Sequence, residues 1–198
     1  LNFNTKSDSI LSAFSIEVSG NLNFSRLSIP NKEIEIQSSI DPYRIWLRYQ
    51  INKWEFRAGL QKIDFGVAQL LRPIQWFNQI DPRDPLALTN GVYGLLIRYY
   101  FKNNTNLWLW SLYGNQKPRG FDLFNSSSAK TEWGGRFQFL VPKGEWGLTY
   151  HYRTTDFIES NLIDYFGESP EYRLGLDAKW DLGIGLWTES TYIQRTQP

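Results

Sequence analysis

The chain has no cysteine and no methionine, and His151 is the only histidine among its 198 residues. Without cysteine there can be neither a disulfide framework nor a thiolate metal site. One imidazole supplies neither a metal centre nor a convincing general base. An excess of one charge is missing too: 21 basic against 20 acidic side chains leave a net charge of +1, which argues against a dedicated nucleic-acid binder, and no nucleic-acid partner is expected. No apolar run approaches the roughly 18 residues that a membrane-spanning helix needs; the longest, near Tyr93 to Ile97, contains Gly94. The sequence opens on Leu1 with neither the basic segment nor the apolar run of an export signal, which is the expectation for a processed or excised chain.

What the chain has in excess is aromatic residues, with 9 Trp, 11 Tyr and 13 Phe, and its polarity alternates with period 2. From Phe14, the even positions Phe14, Ile16, Val18, Gly20, Leu22 and Phe24 are apolar or glycine, while Ser15, Glu17, Ser19, Asn21, Asn23 and Ser25 are polar. Such alternation predicts a strand with one apolar face. Lys32 to Ile51 reads as a second strand, bent or bulged at Asp41-Pro42 because proline cannot donate to a ladder.

Four hairpins follow. Tyr43 to Ile51 returns through Trp54 to Gln61 across the tight turn Asn52-Lys53. Tyr93 to Phe101 returns through Leu107 to Gly114, and Trp133 to Val141 returns through Trp146 to Arg153 across Pro142 to Glu145. Tyr172 to Trp180 returns through Ile184 to Tyr192 across Asp181 to Gly183. Nine strands and no useful amphipathic helix result. The turns are short, whereas the links 64–91, 115–132 and 154–171 are far longer than compact soluble domains favour. Short turns at one end and long loops at the other are the layout of a transmembrane β-barrel.

The apolar phase of these strands carries no charge. It includes Ile45, Leu47, Phe56, Leu95, Ile97, Phe137, Leu148, Leu174 and Leu176, as a surface facing lipid requires. Trp54, Trp146, Trp180, Tyr49 and Tyr152 gather where strands meet turns, where an interfacial aromatic girdle would lie. The competing fold is a soluble sandwich that buries this phase in its own core, and period 2 alone does not separate the two. An odd number of strands does not close a barrel of the usual even type, so the expectation is an all-β, antiparallel transmembrane β-barrel, incomplete within residues 1–198, read as one domain.

The run Phe56-Arg57-Ala58-Gly59-Leu60-Gln61-Lys62-Ile63-Asp64-Phe65-Gly66 is followed by Arg72-Pro73, by Asn78-Gln79-Ile80-Asp81-Pro82-Arg83-Asp84-Pro85 and by the strand from Gly91 to Arg98. Residues 56–98 resemble Gram-negative outer-membrane porin-like barrels of the alginate-export and related porin superfamily, in a Bacteroidota-like form. That resemblance implies the bacterial outer membrane, with its lipid bilayer and lipopolysaccharide as partners, and passive solute transport. One departure is the end of the chain: such barrels finish on a strand ending in an aromatic residue, whereas this sequence stops at Gln197-Pro198.

If the apolar phase meets lipid, the other phase lines a lumen. It carries Arg44, Arg48, Arg57, Arg98, Arg136, Arg153, Arg173 and Lys179, against Glu17, Glu55, Asp177 and Glu189. Such a wall attracts solute anions; equally, its arginines can pair with acids elsewhere. The turn at Asn52-Lys53 sets Arg48 opposite Arg57 and Trp46 opposite Gly59, while the third hairpin sets His151 opposite Arg136. Loop 64–91 packs Leu70, Leu71, Ile74, Trp76 and Phe77 into eight positions, too much apolar surface for a loop in water. The expectation is that it folds inward to narrow the channel, with Asp81, Arg83 and Asp84 near the constriction, or else packs over the rim or a partner protein. Asp64-Phe65-Gly66 spells a kinase signature without its companion motifs. Asp81 and Asp84 have donors suited to Ca²⁺, but Asp-Pro turns recur for conformational reasons alone. No metal, cofactor or catalytic residue is expected. The function expected is a porin-like channel; the alternative is a non-conducting barrel that anchors or assembles a partner through its long loops.

Overall fold

A computed structural model describes residues 13–27, 35–68, 71–77, 89, 91–119, 122–156 and 167–196. Alternating sequence becomes strand throughout: β1 (Phe14–Leu27), β2 (Glu35–Ile51), β3 (Trp54–Gln61), β4 (Val92–Tyr100), β5 (Asn106–Leu112), β6 (Asn125–Ser126), β7 (Glu132–Val141), β8 (Gly144–Asp156), β9 (Glu168–Asp181) and β10 (Gly185–Arg195). Nine of them form one antiparallel path, β1-β2-β3-β4-β5-β7-β8-β9-β10, and the two-residue β6 adds onto β8. Among the described residues β1 and β10 are the edges, and the sheet is not closed.

Local chemistry sets the registers. Asn52 takes a left-handed φ of 51° in the two-residue turn joining β2 to β3, so Arg48 faces Arg57 and Trp46 faces Gly59, as the turn predicts. The β1–β2 ladder slips between Ser19↔Arg44 and Gly20↔Pro42, leaving Tyr43 as the extra residue of a bulge beside the proline. In the third hairpin the prediction fails by two residues. Its turn is only Pro142-Lys143, with Lys143 at φ 59°, and Val141 pairs with Gly144. His151 therefore faces Gly134, and Arg136 faces Thr149. A slip of two keeps every side chain on its face, so the error moved neighbours but not polarity. β8 and β9 also run further than their alternation suggests, which shortens the third long link to 157–167.

The apolar phase is the uncovered face of the sheet: Ile16 is 66% exposed, Leu95 57% and Leu174 53%. Two of its members are covered, Leu60 and Ala178. Aromatic rings border this face in two rows. At the short-turn end, Phe14 meets Tyr49 (centroids 4.6 Å apart), Trp54 meets Tyr99 (4.6 Å) and Trp146 meets Trp180 (5.6 Å). At the long-loop end, Trp133 meets Tyr152 (5.6 Å) and Tyr152 meets Tyr172 (5.3 Å). Tyr152 thus belongs to the second row. Aliphatic side chains such as Leu95, Leu109, Leu148 and Leu174 fill the band between.

The opposite face is the covered one. Residues 62–68 and 71–77 lie across it, and their Ile63, Phe65, Ile74, Trp76 and Phe77 form a core with Val92 and Leu96 of β4 and Trp110 and Leu112 of β5. The described part of this loop thus packs on the charged face of the sheet. Gly175 of β9 leaves the space for it, since a Cβ there would lie 2.9 Å from Ile74 Cγ2 and 3.2 Å from Trp76.

Candidate functional site

The site is the inner face of the sheet together with the segment packed on it. Residues 62–68 and 71–77 are tied to the sheet by Glu189 of β10, whose Oε2 accepts from the backbone N–H of Val67 (3.1 Å) and Ala68 (3.0 Å) and whose Oε1 accepts from Ile74 N–H (3.0 Å). Gly66, at φ 99°, lets the carboxylate approach: a Cβ there would stand 2.8 Å from Glu189 Oε2. Within the segment, Asp64 receives Arg72 Nη2 at 2.7 Å and Lys62 Nζ at 2.9 Å. Burial works to raise the Asp64 carboxyl, but hydrogen bonds and charge from Lys62 and Arg72 outweigh it and hold the group below the ordinary carboxylate range. Asp64, Phe65 and Gly66 thus have conformational roles: an ion pair, a core ring stacked on Trp110 at 5.7 Å, and a left-handed turn.

Of the eight cations expected on this face, seven are partly or fully buried and each has its partner. Arg44 donates to Thr89 O (2.8 Å) and Thr89 Oγ1 (2.5 Å), and also to Tyr43 O. Glu55 sits among three arginines and resolves the Arg48–Arg57 opposition: Arg57 Nε lies 2.8 Å from it, Arg98 Nη1 3.5 Å and Arg48 Nη1 4.0 Å. Arg98 also lies over the Trp108 ring, 3.7 Å from its centre. Arg136 forms a two-pronged pair with Asp177 (2.5 and 2.8 Å). Arg153 and Arg173 share Glu171 and Asp122: Arg153 reaches them at 2.6 Å each, Arg173 at 2.5 Å each, and Arg195 joins at Glu171 Oε2 (2.5 Å). Lys179 is exposed near the turn end of β9. Asp81, Arg83 and Asp84 lie outside the described residues.

His151 is held in a chain of its own. Trp110 Nε1 donates to His151 Nδ1 at 3.2 Å, so the imidazole proton sits on Nε2 and points to Glu132 Oε2 at 3.1 Å. Arg119 closes the chain on both Glu132 oxygens (2.8 and 2.6 Å). Trp76 and Phe77 of the inward segment pack on the same imidazole, at 6.1 and 4.9 Å. Among the described residues no three His, Cys, Asp or Glu side chains group to hold a metal.

Sequence reasoning missed Arg119, Asp122, Glu132, Glu171 and Arg195. Extending the alternation of β9 back to Glu168 would have found Glu171 on the phase of Arg173 and Asp177. Arg119 and Asp122 lie in a long link, where no periodicity marks them. A scan against family models finds no match, and searches of curated proteins and of solved structures find none either. The fold and site together define a class by geometry: an antiparallel sheet that exposes its apolar face and covers its charged one.

Proposed function

We propose that the chain forms the wall of a bacterial outer-membrane β-barrel of porin-like type, a passive channel whose inner side is narrowed by residues 62–68 and 71–77. One observation carries the reading, the inverted polarity of the sheet. A soluble sheet turns its apolar phase to a core, whereas here it is bare and bordered by aromatic rows at both ends, and the ion pairs lie on the covered side. Trp146 and Tyr152, one from each row, stand roughly 20 Å apart along β8 at about 3.3 Å per residue, comparable with the approximately 25 Å apolar band of outer-membrane barrels. The residues 56–98 that resemble porin-like barrels include the inward segment, which favours the same conclusion.

The natural absence of cysteine makes labelling clean. Single cysteines at Ile16, Leu95 and Leu174 are expected to react with a membrane-dissolved maleimide and resist a charged aqueous one in outer-membrane vesicles. Ready aqueous labelling at all three would remove the membrane reading.

A second reading, a non-conducting barrel that anchors a partner, is favoured by one observation: Arg136, Arg153 and Arg173 are neutralised by close acids and the segment packs a dry aromatic core against the wall. Planar-bilayer recording of the full-length protein separates the two. The channel reading expects steady conductance, raised by excision of residues 70–85. A silent protein in both forms would leave the anchoring reading standing.

A further inference from the structure

Between the inward segment and the β9–β10 edge lies a cavity of about 490 Å³, within the size range of small-molecule sites. One side of it is apolar: Leu71, Pro73, Trp76 and Ile193 line it, with Leu71 79% and Ile193 40% exposed. Leu71 and Ile193 are thus apolar groups left uncovered beside the cavity.

The polar side has donors in excess. Every carboxylate at the cavity already accepts from the protein. Glu189 takes three backbone amides, and Asp122 takes Arg153, Arg173 and the backbone N–H of Arg119. The guanidinium groups are less occupied. Among the described residues Arg72 engages acceptors only through Nη2, and Arg195 only through Nε. Both line the cavity, one from the inward segment and one from the wall. A cavity with unengaged guanidinium donors, carboxylates that already accept from the protein and an apolar wall is complementary to an acceptor-rich head carried on an apolar body.

We propose that this cavity binds a small organic carboxylate with an apolar or aromatic body. The carboxylate meets Arg72 and Arg195, and the body lies against Trp76, Pro73, Leu71 and Ile193. The site needs the inward packing of residues 62–77 and does not need conduction. Binding to the detergent-solubilised full-length protein therefore fails or succeeds independently of bilayer recordings.

Three probes in equilibrium dialysis test it: phenylacetate, its neutral counterpart phenylacetamide, and acetate, which has the head alone. Phenylacetate is expected to bind saturably at one site, roughly tenfold or more tighter than either of the others, the ratio given by one charge-assisted contact or by burial of the ring. Arg72→Gln and Arg195→Gln are each expected to weaken phenylacetate roughly tenfold, and Arg195→Lys, which keeps the ion pair with Glu171, by less. Equal binding of phenylacetate and phenylacetamide, or of phenylacetate and acetate, overturns the proposal, as does no saturation up to about 10 mM. Folded arginine variants that bind phenylacetate like the parent overturn it too. If those variants do not fold, the comparison of the three probes on the parent protein decides.

Discussion

Leu148→Arg is expected to destabilise the protein in phospholipid vesicles by about 2–4 kcal/mol, the cost of an arginine near the bilayer midplane. Leu148 lies on β8 between the two aromatic rows and is 49% exposed. Its exposure is what gives the experiment its power. On a protein whose outer face met water, replacing a half-exposed leucine would change stability by no more than about 0.5 kcal/mol. The two readings of the apolar face thus differ several-fold in a single urea titration. Ser190→Arg, on the same phase at edge strand β10, offers a second position should the first variant fail to assemble. A change at Leu148 within about half a kcal/mol would place that side chain in water and remove the argument for lipid.

Glu171→Gln is expected to cost on the order of 3–5 kcal/mol, the magnitude for removing one partner of a buried ion pair. The carboxylate is completely buried and joins Arg153, Arg173 and Arg195. The amide has nearly the same shape but no charge, so Arg153 and Arg173 would keep Asp122 and Arg195 would lose the carboxylate it pairs with. Uncompensated buried charge, more than the lost hydrogen bonds, is the source of the penalty. Glu168→Gln makes the contrast on the same strand. Its pair with Lys130 spans 3.6 Å between exposed side chains, and such pairs contribute about 1 kcal/mol or less. Equal unfolding midpoints for the two variants would mean that the arginine cluster is hydrated and does not depend on Glu171.

These two expectations rest on different kinds of information. That Leu148 shares the apolar face follows from its place in the alternation Trp146, Leu148, Tyr150, Tyr152, readable without coordinates. That Glu171 is the meeting point of three arginines does not follow from any local pattern, because Arg153 and Arg195 approach it from strands on either side. The third hairpin lies between these cases. Its polarity was legible, but the two-residue turn at Pro142-Lys143 moved His151 from Arg136 to Gly134 and so toward Trp110 and Glu132. The inner-phase glycines had a meaning the sequence alone did not disclose. Gly175 admits Ile74 and Trp76, and Gly147 lies beneath the Arg136 guanidinium.

By itself the sequence determined the strands, the β2 bulge, the hairpin order and which side chains share a face, because alternation, proline and tight turns act through neighbours in the chain. Only the tertiary structure decided what covers the charged face and which charges meet there. Glu189 holds amides more than a hundred residues away at Val67, Ala68 and Ile74. Contacts of that kind depend on the path of a loop across a finished sheet, and a periodic pattern of side chains carries no record of that path.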